Sequence, residues 1–149
     1  MNRFNGVLLG KAVGLATTVL PEERRRFHQT RMQRFTELKV WQRAHALVLE
    51  IYRISAGFPP EERFALTSQL RRALTSVPAN IAEGSRRQGQ QEYSRFLNIA
   101  QGSAAEAEYL LILSRDLGYV SPPVFDRLSA DLDEIARMLH GLRSKVDGT

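Results

Sequence analysis

The chain of 149 residues contains no cysteine. Disulfides and thiolate chemistry are therefore excluded, and the reducing cytoplasm is the expected compartment. Long hydrophobic runs are also missing. The one apolar stretch near the start, GVLLGKAVGLATTVL, is too short and too interrupted to span a bilayer. No glycine-rich loop is followed by a Lys-Ser/Thr pair, and no serine lies in a nucleophile-elbow setting. His28, His45 and His140 are isolated, with no histidine ligand four residues on and no cysteine to join them. The carboxylates Glu106, Glu108, Asp131, Asp133 and Glu134 do not form the paired Glu-x-x-His pattern of a di-iron bundle. The expectation is a protein with no catalytic residues, no cofactor and no metal site.

What is present is ordinary in amount and uneven in placement. Hydrophobic residues make up 43% and charged residues 25%, as in a globular domain with a core of its own. The pI near 10.1 invites a nucleic-acid reading. Residues 1–34, however, hold seven basic side chains against Glu22 and Glu23, a net of +5, whereas residues 35–149 hold 14 of each sign. Within that neutral body, residues 63–95 carry six Arg against two Glu, and residues 106–149 carry five basic groups against eight acidic ones. The body is a weak dipole and not a polycation.

Residues 1–34 read as a basic arm apart from the domain. Arg3 ahead of an apolar run imitates a signal peptide, but Lys11 interrupts it and no small-x-small cleavage site follows. Arg24, Arg25 and Arg26 then form a basic cluster. Three readings are open for the arm: a disordered tail, a targeting segment, or translation from an upstream start, with Met32 as the true one.

Residues 35–149 read as helix throughout. Trp41, Ala44, Val48, Ile51 and Tyr52 share one face of a helix from about Leu38 to Ala56, which Gly57 and Phe58-Pro59-Pro60 close. A second helix is expected from near Pro60, with Glu61 and Glu62 in its first turn, to near Gly84. A third runs from about Gln90 to Leu117, where Tyr93, Leu97, Ala100, Ala104, Ala107, Leu111 and Ser114 alternate by four and three. Phe96, Ile99, Ser103, Leu110, Leu113 and Leu117 thicken that stripe. After Gly118 and the Pro122-Pro123 pair, a fourth helix carries Phe125, Leu128, Leu132, Ile135, Leu139, Leu142 and Val146. Four amphipathic helices joined by short links, without a strand pattern, predict an all-α, antiparallel up-down four-helix bundle.

The second helix is the most informative element. Leu66, Leu70, Ala73, Leu74, Val77 and Ile81 form its apolar stripe. Gln69, Arg72, Ser76, Asn80 and Glu83 recur at three- and four-residue steps as a second, polar stripe. Pro78 lies within the pattern; it lacks a backbone donor and crowds the preceding turn, so a kink is expected there.

Three segments then carry a family likeness: FTELKVWQRAHALVLEIY, FPPEERFALTSQLRRALTSVPANIAEGSRR and EYSRFLNIAQGSAAEAEYLLILSRDLGYV. The Phe-Pro turn, the Gln-Leu-Arg-Arg run, Pro-x-Asn-Ile-Ala-Glu-Gly and the Gly-Ser before an acidic face stand in the order of the 23S rRNA-intervening sequence protein family. The chain resembles that family, also called the four-helix bundle protein family, from Phe35 to about Lys145. The resemblance implies a homopentameric ring of four-helix bundles. One branch of the family is the accessory protein of diversity-generating retroelements, which binds nucleic acid and reverse transcriptase. That branch is strongly basic, and this body is neutral; for most of the family no biochemical activity is established.

Two constellations follow. The polar stripe Gln69, Arg72, Ser76, Asn80 and Glu83, with Ser103 and Glu106 on the third helix, is the candidate oligomer interface, since amides and opposite charges give directional bonds. An ordinary solvated face would hold more Lys and Glu than Gln, Ser and Asn. Arg71, Arg86, Arg87 and Arg95 are the candidate nucleic-acid contacts, the middle two lying just before the amides that open the third helix. The plainer reading is a solvated loop whose arginines pair with Glu83 and Glu92. The expected function is a homo-oligomeric scaffold or adaptor with RNA or DNA as candidate partner. The alternatives are a retroelement accessory subunit and a structural assembly with an unidentified protein partner.

Overall fold

The computed structural model describes residues 34–149, and the expectations for the basic arm and for His28 lie outside that range. Four long helices follow in order: α1 (Lys39–Ser55), α2 (Leu66–Arg86), α3 (Gln90–Asp116) and α4 (Pro122–Asp147). Single 3-10 turns at Phe35–Glu37 and Pro60–Glu62 precede α1 and α2. Each helix packs on the next, and α1 closes the ring by packing on α4.

Cross-links between helices show their directions. Ser76 meets Ser103, and farther along α2, Gly84 meets Tyr93 and Phe96, so α2 and α3 are antiparallel. Gln90 of α3 bonds the Val146 carbonyl, and Arg143 reaches Asn98 and Gln101. Glu50 of α1 pairs with Arg127, whereas Arg43 faces Asp131 and Glu134. The bundle is up-down, as the short links require.

The core follows the apolar stripes with two corrections. On α1 the buried face is Val40, Ala44, Leu47, Val48 and Ile51; Trp41 is half-buried and Tyr52 is exposed. On α3, Ile99 and Leu117 are exposed rather than part of the stripe. On α1 the buried face is displaced toward Val40 and Leu47, whereas on α3 the four-three stripe from Tyr93 to Ser114 is buried as expected and only its flanks differ. Leu132 shares a central layer with Ala44, Leu47, Leu74, Val77 and Ile135 that leaves no space for a water molecule.

The start of α2 also differs from the periodic reading. Pro60–Glu62 is a separate turn, and the helix begins at Leu66. The Glu62 carboxylate is the reason: it accepts the Leu66 N–H at 3.1 Å and so serves as a cap from outside the helix, not as a first-turn residue. Its other oxygen accepts the Tyr119 hydroxyl at 3.2 Å. From there α2 continues without interruption to Arg86, with Pro78 buried inside it.

The α2–α3 link is tight because two glycines permit it. Gly89 has φ +88°, a left-handed conformation that favours glycine. At Gly84 an added Cβ would lie 2.7 Å from the Phe96 Cβ and 2.9 Å from Tyr93 Cδ2. The two helices approach this closely only because Gly84 has no side chain.

Candidate functional site

The polar stripe of α2 divides into a used middle and unused flanks. The Ser76 and Ser103 hydroxyls bond each other at 2.7 Å, tying α2 to α3. The Asn80 amide donates to the Ser76 carbonyl at 2.7 Å and to its hydroxyl at 2.9 Å. Glu83 is exposed and pairs with Arg87 one turn on. Gln69, Arg72 and Glu106 are exposed, with no side-chain hydrogen bond or ion pair among the described residues. Beside them on α3, Ile99 and Tyr109 are exposed, Tyr109 at 61%.

The four candidate nucleic-acid arginines fall into two places. Arg87 and Arg95 lie over the ring of Phe96, at 4.9 and 4.7 Å from its centroid. Each is also paired with a carboxylate: Arg87 with Glu83, and Arg95 with both Glu92 oxygens at 3.0 and 3.1 Å. The Arg95 hydrogen bond holds the Glu92 carboxyl below its ordinary value and raises Arg95 in return. Arg86 is exposed beside them. Arg71 lies 15 residues earlier, about 22 Å along the helix at the usual rise.

Arg71 borders a groove between α1 and α2 that periodicity does not disclose. Its guanidinium lies over the Tyr52 ring at 4.5 Å, donates to the Ser55 hydroxyl at 2.9 Å and reaches the Tyr52 carbonyl at 3.3 Å. Arg63 lies over Phe64 at 5.3 Å, and Phe64 itself is 88% exposed. With Arg72 at its edge, this open groove of about 630 Å³ is lined by three arginines and two aromatic rings and by no carboxylate. The available signal in the sequence was Phe64 itself, an aromatic residue standing just outside the stripe that starts at Leu66.

A second cluster joins α3 and α4. Arg143 donates to Ser94 at 3.2 Å, Asn98 at 2.8 Å and Gln101 at 3.0 Å, with Asp147 at 3.7 Å. It braces the bundle from outside the core. Tyr93 is the one described residue with a buried side-chain oxygen that lacks a partner. Burial pushes its phenol up to about 12. Among the described residues no group of three His, Asp or Glu could hold a metal ion, and no helix is long and apolar enough to cross a membrane.

This geometry agrees with what the chain is similar to. A crystal structure from Bacteroides thetaiotaomicron, described as a protein of unknown function from the S23 ribosomal protein family, superposes with a TM-score of 0.66 at 26% identity. The match covers 70% of this chain and 95% of that one. No curated protein matches the chain. The family model for the 23S rRNA-intervening sequence protein matches residues 36–141, from the 3-10 turn before α1 to near the end of α4. Four helices in this order, with that model running through all of them, mean that the chain belongs to the 23S rRNA-intervening sequence protein family.

Proposed function

We propose that the chain is a non-enzymatic, cytoplasmic adaptor that assembles from several copies of its four-helix body and contacts RNA or DNA through its basic arm. The observation that carries the assembly reading is the pair of exposed flanks beside the Ser76–Ser103 bond. Arg72 and Glu106 supply opposite charges without partners among the described residues, and Gln69, Ile99 and Tyr109 supply amide and apolar surface next to them. That mixture suits an interface in which Tyr109 and Ile99 supply apolar contact and the charges and amide form its polar rim. The family resemblance favours a ring of five copies. A bend at Pro78 belongs to the same reading, since it would set the angle at which the C-terminal part of α2 meets a neighbour.

Light scattering of the full chain tests it. An assembly well above 16.9 kDa is expected, near five subunits. Arg72→Glu should reduce the mass, whereas Arg137→Glu should not, because Arg137 is already paired with Asp133 and Glu134 on α4. A monomer at micromolar concentration overturns the assembly. For the nucleic-acid part, removing residues 1–33 should flatten the salt dependence of single-stranded RNA binding, because the arm supplies the excess of phosphate-neutralising charge. Arg86→Ala with Arg87→Ala should remove a smaller remainder. If neither change alters binding, the nucleic-acid contact fails while the assembly stands.

A further inference from the structure

The groove bordered by Tyr52, Phe64 and Arg71 is not needed by the bundle. Phe64 contributes almost nothing to the core at 88% exposure, and Tyr52 is 47% exposed. Leaving the Phe64 ring in water has no structural return, whereas aromatic and arginine side chains together are the composition of interface hot spots. All three cations of the groove are arginines, and none of its lining residues is acidic. Arg71 is held in place by a ring and two neutral oxygens, so its charge is positioned without being neutralised.

The charge around the groove decides what fits it. Nucleic-acid affinity grows with the number of phosphates neutralised and needs an extended basic track. Residues 35–149 carry equal numbers of basic and acidic groups, and the other candidate arginines, Arg87 and Arg95, are paired with carboxylates at the far end of α2. Three arginines confined to one groove beside an exposed phenylalanine suit a short ligand with a few carboxylates and an apolar side chain. We propose that this groove docks an acidic segment of another protein, with carboxylates on Arg63 and Arg71 and an apolar side chain against Phe64 and Tyr52, while Arg72 at its edge stays with the assembly surface.

The probe is a short fluorescein-labelled peptide of alternating Glu and Asp around a central Leu-Phe pair, titrated by anisotropy against the full chain at about 150 mM salt. A single-stranded oligonucleotide of equal charge is titrated in parallel. Saturable peptide binding is expected, weakened about tenfold or more by Phe64→Ala and by Arg63→Glu and unchanged by Arg86→Ala. Both substituted side chains are exposed, so the variants should melt like the parent, and light scattering should return the parent mass. The proposal is overturned if the peptide does not saturate, or if neither substitution weakens it. It is equally overturned if the oligonucleotide binds more tightly with the same dependence on Phe64 and Arg63, which would give the groove to nucleic acid. A fall in assembly mass for these variants would give it to a second copy of the chain.

Discussion

The two ends of α2 use the same residue types to opposite ends. At its C-terminal end, Arg87 and Arg95 lie against Phe96, which is buried, and each arginine has a carboxylate three or four residues away. At its N-terminal end, Arg63 and Arg71 lie against Phe64 and Tyr52, which are exposed, and no carboxylate lines the groove. The rings and guanidinium groups are alike. The difference is made by Glu83 and Glu92, which neutralise one end, and by Gly84, which lets α2 close onto Phe96 there. An arginine–aromatic pair is therefore a structural seal or an open surface according to its neighbours, and composition alone does not distinguish the two.

The largest effect is expected in the core between the two ends. Leu97 stands on α3 one turn beyond Tyr93, and Leu132 lies in the central layer of α4; both are buried. Truncating either to Ala should cost about 2–5 kcal/mol in denaturant unfolding. Equal stability of both variants with the parent would mean that the helices are packed in another register.

Next in size is Gly84→Ala. The new methyl meets the Phe96 Cβ, an atom fixed to the α3 backbone, so the helices must separate; about 1–3 kcal/mol should be lost. Phe64→Ala at the open end should change stability by no more than about 0.5 kcal/mol. If thermal melts rank these two the other way, the closed end is loose and the open end is the structural one.

The smallest effect belongs to the Tyr93 hydroxyl. Its phenol ordinarily ionises near 10 and is pushed up to about 12 by burial. The unfolded chain therefore loses this proton at lower pH than the folded chain. The stability held by the neutral phenol is complete below about pH 10 and falls as pH rises toward 12. Tyr93→Phe should remove this contribution to the alkaline fall and leave neutral-pH stability nearly unchanged, since the oxygen has no partner to lose. A large loss at neutral pH would reveal a bond to the hydroxyl that makes it part of the closed end.

Much of the architecture was legible in the sequence because it depends on spacing. The four helices, the glycine and proline links and the apolar stripe of α2 can all be read from periodicity. The start of α2 could not be, since Glu62 acts through a side chain folded back onto Leu66, and first-turn acids look the same in sequence whether they lie inside a helix or before it. Tyr52 borders the apolar face of α1 and is nonetheless exposed, because only the position of α2 decides whether that border is covered. The polar stripe was visible as a pattern. Its division was not, because Ser76 can bond Ser103 of its own chain or another copy, and spacing within α2 carries no information about the partner. The groove was the least accessible feature. It brings together Tyr52 of α1, Arg71 of α2 and the irregular Arg63–Phe64 link, so it exists only in the packed structure.

Glu62 gives the bundle a shared point of release. One oxygen holds the first amide of α2, and the other holds Tyr119 in the α3–α4 link, whose ring lies 5.5 Å from Phe58 in the α1–α2 link. Two connections far apart in sequence are thereby latched at the same end of the molecule. Neither can fray alone without exposing the other, so both should open as one cooperative unit in amide exchange. Phe64 stands two residues from Glu62, so a partner seated against Phe64 would slow the exchange of Val120, a residue outside the groove's lining.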